Sequence, residues 1–312
     1  MNNVLLIDFG STYTKVTAVD IHTEKILGTA RAFTTIKTDI NEGLNNALAI
    51  LESKIGRIEY SSKFACSSAA GGLKMVVIGV VPELTVEAAK RTALSAGAKV
   101  VGVYAYELAD NEVNEIANLK PDIILLTGGT DGGNKNIILH NAEVLASIEV
   151  DFPVVVAGNK SVAEKVADIL KSAGKDVRVC QNVMPEFNKL NIEPARKVIR
   201  DVFLERIIRA KGLTKVQMLI EGILMPTPSA VLKAVQTLST GYGNEKGIGE
   251  LIAVDVGGAT TDVYSISEGK PSRSGVIIKG LPEPFAKRTV EGDLGVRYSA
   301  DFIAEAAGMD KV

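Results

Sequence analysis

One ten-residue pattern constrains this chain more than any other feature: apolar, Asp, apolar, Gly, three variable residues, Thr, one variable residue, Val. It occurs in LLIDFGSTYTKVTAV (5–19) and again, 247 residues later, in IAVDVGGATTDVYSI (252–266). Asp8 then aligns with Asp255, Gly10 with Gly257, Thr14 with Thr261 and Val16 with Val263. Each copy reads as a strand ending at a carboxylate, a tight turn of small residues and a return strand. One copy is compatible with an ordinary turn, but two aligned copies call for a fold that sets the hairpins against each other as a clamp.

The residue types indicate what such a clamp holds. Gly lets backbone N–H groups approach phosphate oxygens, and Ser or Thr hydroxyls add donors without bulk. A carboxylate beside them repels phosphate unless it holds a hydrated Mg²⁺, which takes carboxylate and water oxygens and bridges to phosphates. Asp8 and Asp255 are therefore expected to serve a metal nucleotide.

The 312 residues suggest two domains, or one with a large insertion. With 37 acidic against 35 basic residues, no Lys/Arg run and no Trp, a nucleic-acid footprint is not expected, and small solutes or proteins are the expected partners. The start MNNVLLIDFGS lacks a basic leader and its apolar run stops at Asp8, so a cytoplasmic protein without a membrane span is expected. Cys66 and Cys180 are too few for a disulfide framework and are expected to be buried free thiols.

Residues 4–35 alternate short β-rich runs with tight links, predicting an antiparallel three-stranded meander. An amphipathic helix follows over 41–55, N-capped near Asp39 or Asn41. From Lys74, Val/Ile runs alternate with helical segments at 84–97, 107–118, 136–148 and 160–173, predicting a parallel sheet covered on both faces. A helix over 193–211 carries Val198, Val202, Leu204 and Ile208 along one side, and a second helix starts behind the prolines of ILMPTPSAV. The expected division is 1–72 for a first subdomain with one hairpin, 73–185 for an inserted flavodoxin-like βα domain, 186–248 for a return to the first subdomain and 249–312 for the start of a second with the other hairpin.

The two hairpins resemble the phosphate 1 and phosphate 2 motifs of the actin, sugar kinase and heat-shock chaperone ATPase superfamily; DVGGATTDV is similar to the Asp-x-Gly-Gly-Gly-Thr-x-Asp form of its chaperone and bacterial-actin branches. That resemblance implies an α/β actin-like, ribonuclease H-like fold with the parallel βα domain inserted. It also implies a site in which Asp8, Ser11, Thr12 and Lys15, with Asp255, Gly257, Gly258, Thr260 and Thr261, surround the β and γ phosphates of ATP and Mg²⁺. Gly10, Thr14 and Ala259 complete the cofactor-binding turns, Ala259 standing where relatives have a third Gly. Asp8 and Asp255 are the expected catalytic residues and hold Mg²⁺ through water.

From residue 4 to about 300 the chain is similar to the MutL-type accessory proteins of cobalamin-dependent glutamate mutase, through DFGSTYTKV, SSAAGGLKMVVIGVVPELT, PDIILLTGGTDGGNK, VMPEFNKLNIEPAR, GILMPTPSAV, VDVGGATTDV and GLPEPFAKRTVEGDLGVRYSA. The resemblance implies an ATP-dependent reactivating chaperone or accessory ATPase for an adenosylcobalamin-dependent mutase, glutamate mutase or a related aminomutase. Two departures stand out. TPSAV places Thr227 where the chaperone branch has a Glu that positions the attacking water, which leaves open a non-hydrolysing nucleotide-binding scaffold. The adenosine-binding Gly-rich turn expected after phosphate 2 is not in 267–312, which implies a C-terminally truncated chain.

Other readings compete. Iron-sulfur ATPase activators of radical dehydratases share the DxGSTxxK start, but their second motif is Gly-Gly-Gln-Asp. A small-molecule kinase needs an Asp base that the sequence does not single out. LLTGGTDGGNKNIILH (125–140) is a strand, Gly-rich loop and helix, open between a ligand or partner loop and a structural turn. His22 and His140 lie outside any cobalamin-ligand pattern. RTVEGDLGVRYSA (288–300) is open between a capped helix start and a switch segment beside the nucleotide.

Overall fold

The computed structural model describes residues 3–35, 39–68, 73–210, 225–270, 275, 280–292, 294–297, 299–306 and 308, with side chains left out at 206–210, 302, 305 and 306. The first sheet opens as the expected meander: β1 (Asn3–Phe9), β2 (Tyr13–Asp20) and β3 (Lys25–Phe33) pair antiparallel in sequence. Helix α1 (Ile40–Ile55) is capped by Asp39, whose side chain accepts from the Asn41 amide at 2.9 Å. It buries Leu44, Ala47 and Leu51 against the meander. Strand β4 (Ser62–Ser67) then pairs parallel to β1 on its other edge.

The regular alternation after Lys74 is a five-stranded, all-parallel sheet. It comprises β5 (Leu73–Gly79), β6 (Ala98–Ala105), β7 (Ile123–Leu126), β8 (Val154–Val156) and β9 (Val177–Val179), in the order β6-β5-β7-β8-β9. Counted within the insert this is 2-1-3-4-5, the flavodoxin-like order. The connecting helices are α2 (Glu87–Ser95, entered through a π-turn at Pro82–Val86), α3 (Asp110–Leu119), α4 (Asn136–Ala146) and α5 (Ala163–Ser172). They are shorter than the apolar periodicity predicts, because that pattern runs on into their flanking turns. The central strands β7 and β8 are apolar at every position because both faces are covered, whereas β5, β6 and β9 admit Lys74, Lys99 and Arg178. Val76, Ile78, Ile124 and Leu126 pack with α3, α4 and α5, whereas Met75, Val77, Ile123 and Leu125 face the opposite core.

That opposite core is shared. Met75, Val77, Leu125 and Val155 of the insert, Ala88 and Ala93 of α2, Leu5, Ile7 and Phe9 of the first sheet and Leu44 of α1 form one continuous buried cluster. Helix α6 (Glu193–Ala210) joins it through Ala195, Ile199, Val202 and Phe203. Of the face expected for this helix, Val202 is buried, Val198 and Leu204 are partly buried, and the Ile208 side chain lies outside those described.

Strand β10 (Met225–Pro226) then extends the first sheet beside β4, giving the order β10-β4-β1-β2-β3. Pro226 leads directly into α7 (Thr227–Thr240), where Pro228 costs no hydrogen bond because the first helical amides have no partner within the helix. A short hairpin, β11 (Gly241–Tyr242) and β12 (Glu245–Lys246), precedes a second meander of β13 (Leu251–Val256), β14 (Thr261–Ile266) and β15 (Ala286–Glu291), and α8 (Ala300–Ala306) follows. Two antiparallel meanders, the first extended by a parallel strand and interrupted by a parallel βα sheet, make this an α/β protein of the actin-like class with an insertion. Among the described residues no helix is long and apolar enough to cross a membrane.

Candidate functional site

The two hairpins are built alike. In β1–β2 the last ladder pairs are Asp8 with Lys15 and Phe9 with Thr14; in β13–β14 they are Asp255 with Asp262 and Val256 with Thr261. Each turn closes with the same hydrogen bond, Gly10 N–H to Tyr13 C=O at 3.0 Å and Gly257 N–H to Thr260 C=O at 2.8 Å. A Cβ on Gly10 would stand 2.7 Å from the Tyr13 oxygen, and one on Gly257 would stand 3.0 Å from the Thr260 oxygen. Glycine is therefore required by the closeness of the turn.

Both turns border one cleft of about 480 Å³. From the first hairpin come Asp8, Gly10, Ser11, Thr12 and Lys15; from the second come Asp255, Gly257, Gly258, Ala259 and Thr260. Thr14 and Thr261, also expected to bind phosphate, lie off the cleft lining and tie the hairpins to their own domains. Thr14 is fully buried with its hydroxyl 3.1 Å from that of Thr34, and Thr261 donates to the Leu294 carbonyl at 2.5 Å.

Hydrogen-bond accounting shows which groups the turns leave over. The carbonyls of Phe9, Gly10, Thr12, Gly257 and Gly258 all accept from protein donors. The amides of Ser11, Thr12, Gly258 and Ala259 find no partner among the described residues, and the Thr12 hydroxyl is buried without one. Amides on an open cleft lining are left free for water or a ligand. Two small nests of N–H groups facing a cleft suit an oxyanion. Lys15, Arg31, Lys99 and Arg297 add positive charge to the same lining. The residues present thus fit a polyphosphate, and the two carboxylates fit its divalent cation.

Magnitudes separate the three aspartates of the cleft. Lys15 Nζ lies 3.3 Å from Asp8 Oδ2, with the lysine side chain 59% exposed. Such a pair contributes at most about 1 kcal/mol and yields readily to a ligand. Asp8 Oδ1 accepts from the Thr227 hydroxyl at 2.7 Å, and the Cys66 thiol lies 3.5 Å away beneath it. Asp255 has no ion-pair partner among the described residues. Although its own surface is exposed, the cleft walls, then Asp262 and Asp8, push its carboxyl above the usual 3.8 against the pull of Lys15. Asp262, in register with Asp255, is different: it is buried, and Arg288 Nε donates to it at 2.7 Å. Arg288 also donates to the carbonyls of Leu94 and Ala98 at 3.1 and 3.0 Å. Asp8 and Asp255 are thus available to a cation, and Asp262 is committed to holding β14 and β15 onto the insert.

The segment after β15 lies over the second turn. Val296 and Arg297 donate backbone hydrogen bonds to the Gly257 and Gly258 carbonyls, Ser299 donates to the Ala259 carbonyl, and Arg297 stacks on Phe33 at 5.5 Å. Val296 and Arg297 therefore border the site, with Ser299 beside the same turn; Glu291 ends β15, and Asp293 lies outside the described residues. A Cβ on Gly295 would fall 2.3 Å from the Ala259 carbonyl carbon. The close approach that a third glycine at 259 would permit is supplied instead by glycine at 295.

The loop of 127–135 is held in place by two asparagines of the insert, as a structural turn would be. Buried Asn159 accepts from the Gly132 amide and donates to the Gly133 and Asn134 carbonyls, while Asn182 donates to Gly129 and to Asp131. At the switch point between β5 and β7, where flavodoxin-like sheets bind cofactor, the Val80 and Val81 amides donate to the Thr85 hydroxyl. His140 Nε2 lies 3.5 Å from the Leu108 carbonyl, and the His22 amide donates to Asp20.

The family model described as MutL protein matches residues 4–312. Protein MutL of Clostridium tetanomorphum is 57% identical over 314 residues, which takes in all of this chain and 68% of that protein. Among solved structures, xylulose kinase of Bifidobacterium adolescentis aligns over 99% of this chain and 68% of its own at 14% identity and TM-score 0.32 or less, its value being 0.31. A short-chain flavodoxin associated with a PDU bacterial microcompartment aligns over 43% of this chain and 97% of its own at 19% identity and TM-score 0.32. Neither score is high enough to bear on the fold, which rests on the sheet orders above. With residues 4–312 inside the family match and a relative of this identity across the whole chain, the chain belongs to the MutL protein family.

Proposed function

We propose that this protein is an accessory ATPase, a reactivating chaperone, for an adenosylcobalamin-dependent mutase: glutamate mutase or a related aminomutase. The observation that carries the nucleotide part is the meeting of two like hairpins, 247 residues apart in sequence, at one cleft with Asp8 and Asp255 both on its lining. Family membership supports the accessory role. In this reading the amides of Ser11, Thr12, Gly258 and Ala259 receive the phosphates of ATP, and Asp8 and Asp255 hold the hydrated Mg²⁺ between them. Bound Mg²⁺ supplies charge neutralisation of the phosphates.

Thr227 sets the pace. Its hydroxyl proton is committed to Asp8 at 2.7 Å, and a hydroxyl is no base for an attacking water, so turnover is slow and the bound state persists. A long-lived nucleotide state suits a protein whose work is to engage and release a partner, provided MgATP binds the two conformations with different affinity. The iron-sulfur alternative loses support from the thiols: Cys66 sits in β4 and Cys180 beyond β9, each directed inward at a protein oxygen. The test is co-purification with adenosylcobalamin-dependent glutamate mutase with and without MgATP. Nucleotide-dependent retention is expected; no retention in either condition removes the accessory role.

A further inference from the structure

Lys99 stands out among the cations of the cleft because the inserted sheet supplies it. It sits on β6, partly buried, on the lining that carries both hairpins. No hydrogen-bond or ion-pair partner for it is found among the described residues, whereas Lys15 has Asp8 and Arg288 has Asp262. Its side chain runs past Gly292: a Cβ there would lie 3.2 Å from Lys99 Cε and 3.4 Å from Nζ. Gly292 has no left-handed backbone angle to require glycine, so what it provides is room for the lysine.

The backbone under Lys99 is fixed from two sides. Arg288, buried and paired with Asp262, takes the carbonyls of Leu94 and Ala98. Gly97, at φ +87°, lies so close to the start of α7 that a Cβ would meet the Pro226 side chain at 2.7 Å. The next residue of α7, Thr227, holds Asp8. The corner of residues 94–99 is therefore clamped between the β15 side of the cleft and the element that positions Asp8. A partly buried cation without a partner among the described residues, on a fixed stem, is a binding group for an anion arriving in that cleft.

We propose that Lys99 is a phosphate-binding residue contributed by the inserted sheet, and that through it the insert registers whether the cleft holds phosphate. This rests on the nucleotide reading above and extends it to the insert. The probes are MgATP and magnesium pyrophosphate, titrated calorimetrically at low and high salt. Lys99→Met is expected to weaken both by about tenfold or more and to flatten the salt dependence, and Lys99→Arg to restore most of the loss. At saturating MgATP, slowed hydrogen exchange over residues 94–99 is expected in the unsubstituted protein and not in Lys99→Met. Unchanged affinity and salt dependence in Lys99→Met, in a protein whose Asp255→Ala variant has lost binding, overturns the proposal and leaves the clamp standing. Failure of the unsubstituted protein to bind either probe overturns both.

Discussion

Three aspartates border the cleft, and their partners assign them different work. Asp262 shares a buried ion pair with Arg288, and removing one member of such a pair leaves an uncompensated charge. Asp262→Asn is therefore expected to cost about 3–5 kcal/mol in denaturant unfolding. Asp255 behaves in the opposite sense. Its carboxyl is raised above 3.8 in the folded state, so folding favours its protonated form; that stabilisation is complete below 3.8 and lost as pH rises through the folded value. At neutral pH the ionised group is a liability to the empty protein, and Asp255→Asn should raise the thermal midpoint by about 1–2 °C while removing any Mg²⁺-dependent gain from nucleotide. A fall in the midpoint would show Asp255 to be structural. Burial pushes both thiols up to about 12, Cys66 with added repulsion from Asp8, so a disulfide reagent at pH 8 should label neither until the chain is unfolded. Asp8 and Asp255 were legible in the sequence because each belongs to a local motif. Thr227 was legible as a substitution but not as a partner of Asp8, since the two are 219 residues apart.

At the scale of elements, the alternation of strands and helices in the insert was legible from periodicity, because a sheet covered on both faces is built of short Val/Ile-rich runs, whereas the strand order was not, since it depends on pairings between distant segments. Less visible were the roles of Thr14 and Thr261. The hairpin pattern places a hydroxyl beside each turn, yet whether it faces the cleft depends on Thr34 and Leu294, which belong to other segments. The 294–299 segment gives an element-scale test. Gly295→Ala would drive its Cβ into the Ala259 backbone, so the segment must lift from the turn. Nucleotide affinity should fall at least about tenfold with far-ultraviolet circular dichroism unchanged, in line with the loss of one or two backbone hydrogen bonds. Unaltered affinity would mean that the segment only covers the turn.

At the scale of the whole molecule, the cleft is assembled from parts that the chain order separates: one hairpin from the first sheet, Lys99 from the insert, Thr227 from α7 and the other hairpin from the second meander. A sequence reading sees the two motifs and not what joins them, because Arg288 and Lys99 resemble ordinary strand lysines and arginines until the sheets are packed. A shared core holds the insert to the first sheet, and the contacts from Arg288 to Leu94 and Ala98 tie it to the second meander. A clamp of two hairpins on the phosphates of a magnesium nucleotide, as proposed, can be measured by calorimetric titration of ATP, with and without Mg²⁺, into the unsubstituted protein, Asp8→Ala and Asp255→Ala. Mg²⁺-dependent binding that either substitution abolishes is expected. Equal affinity in all three proteins would contradict it.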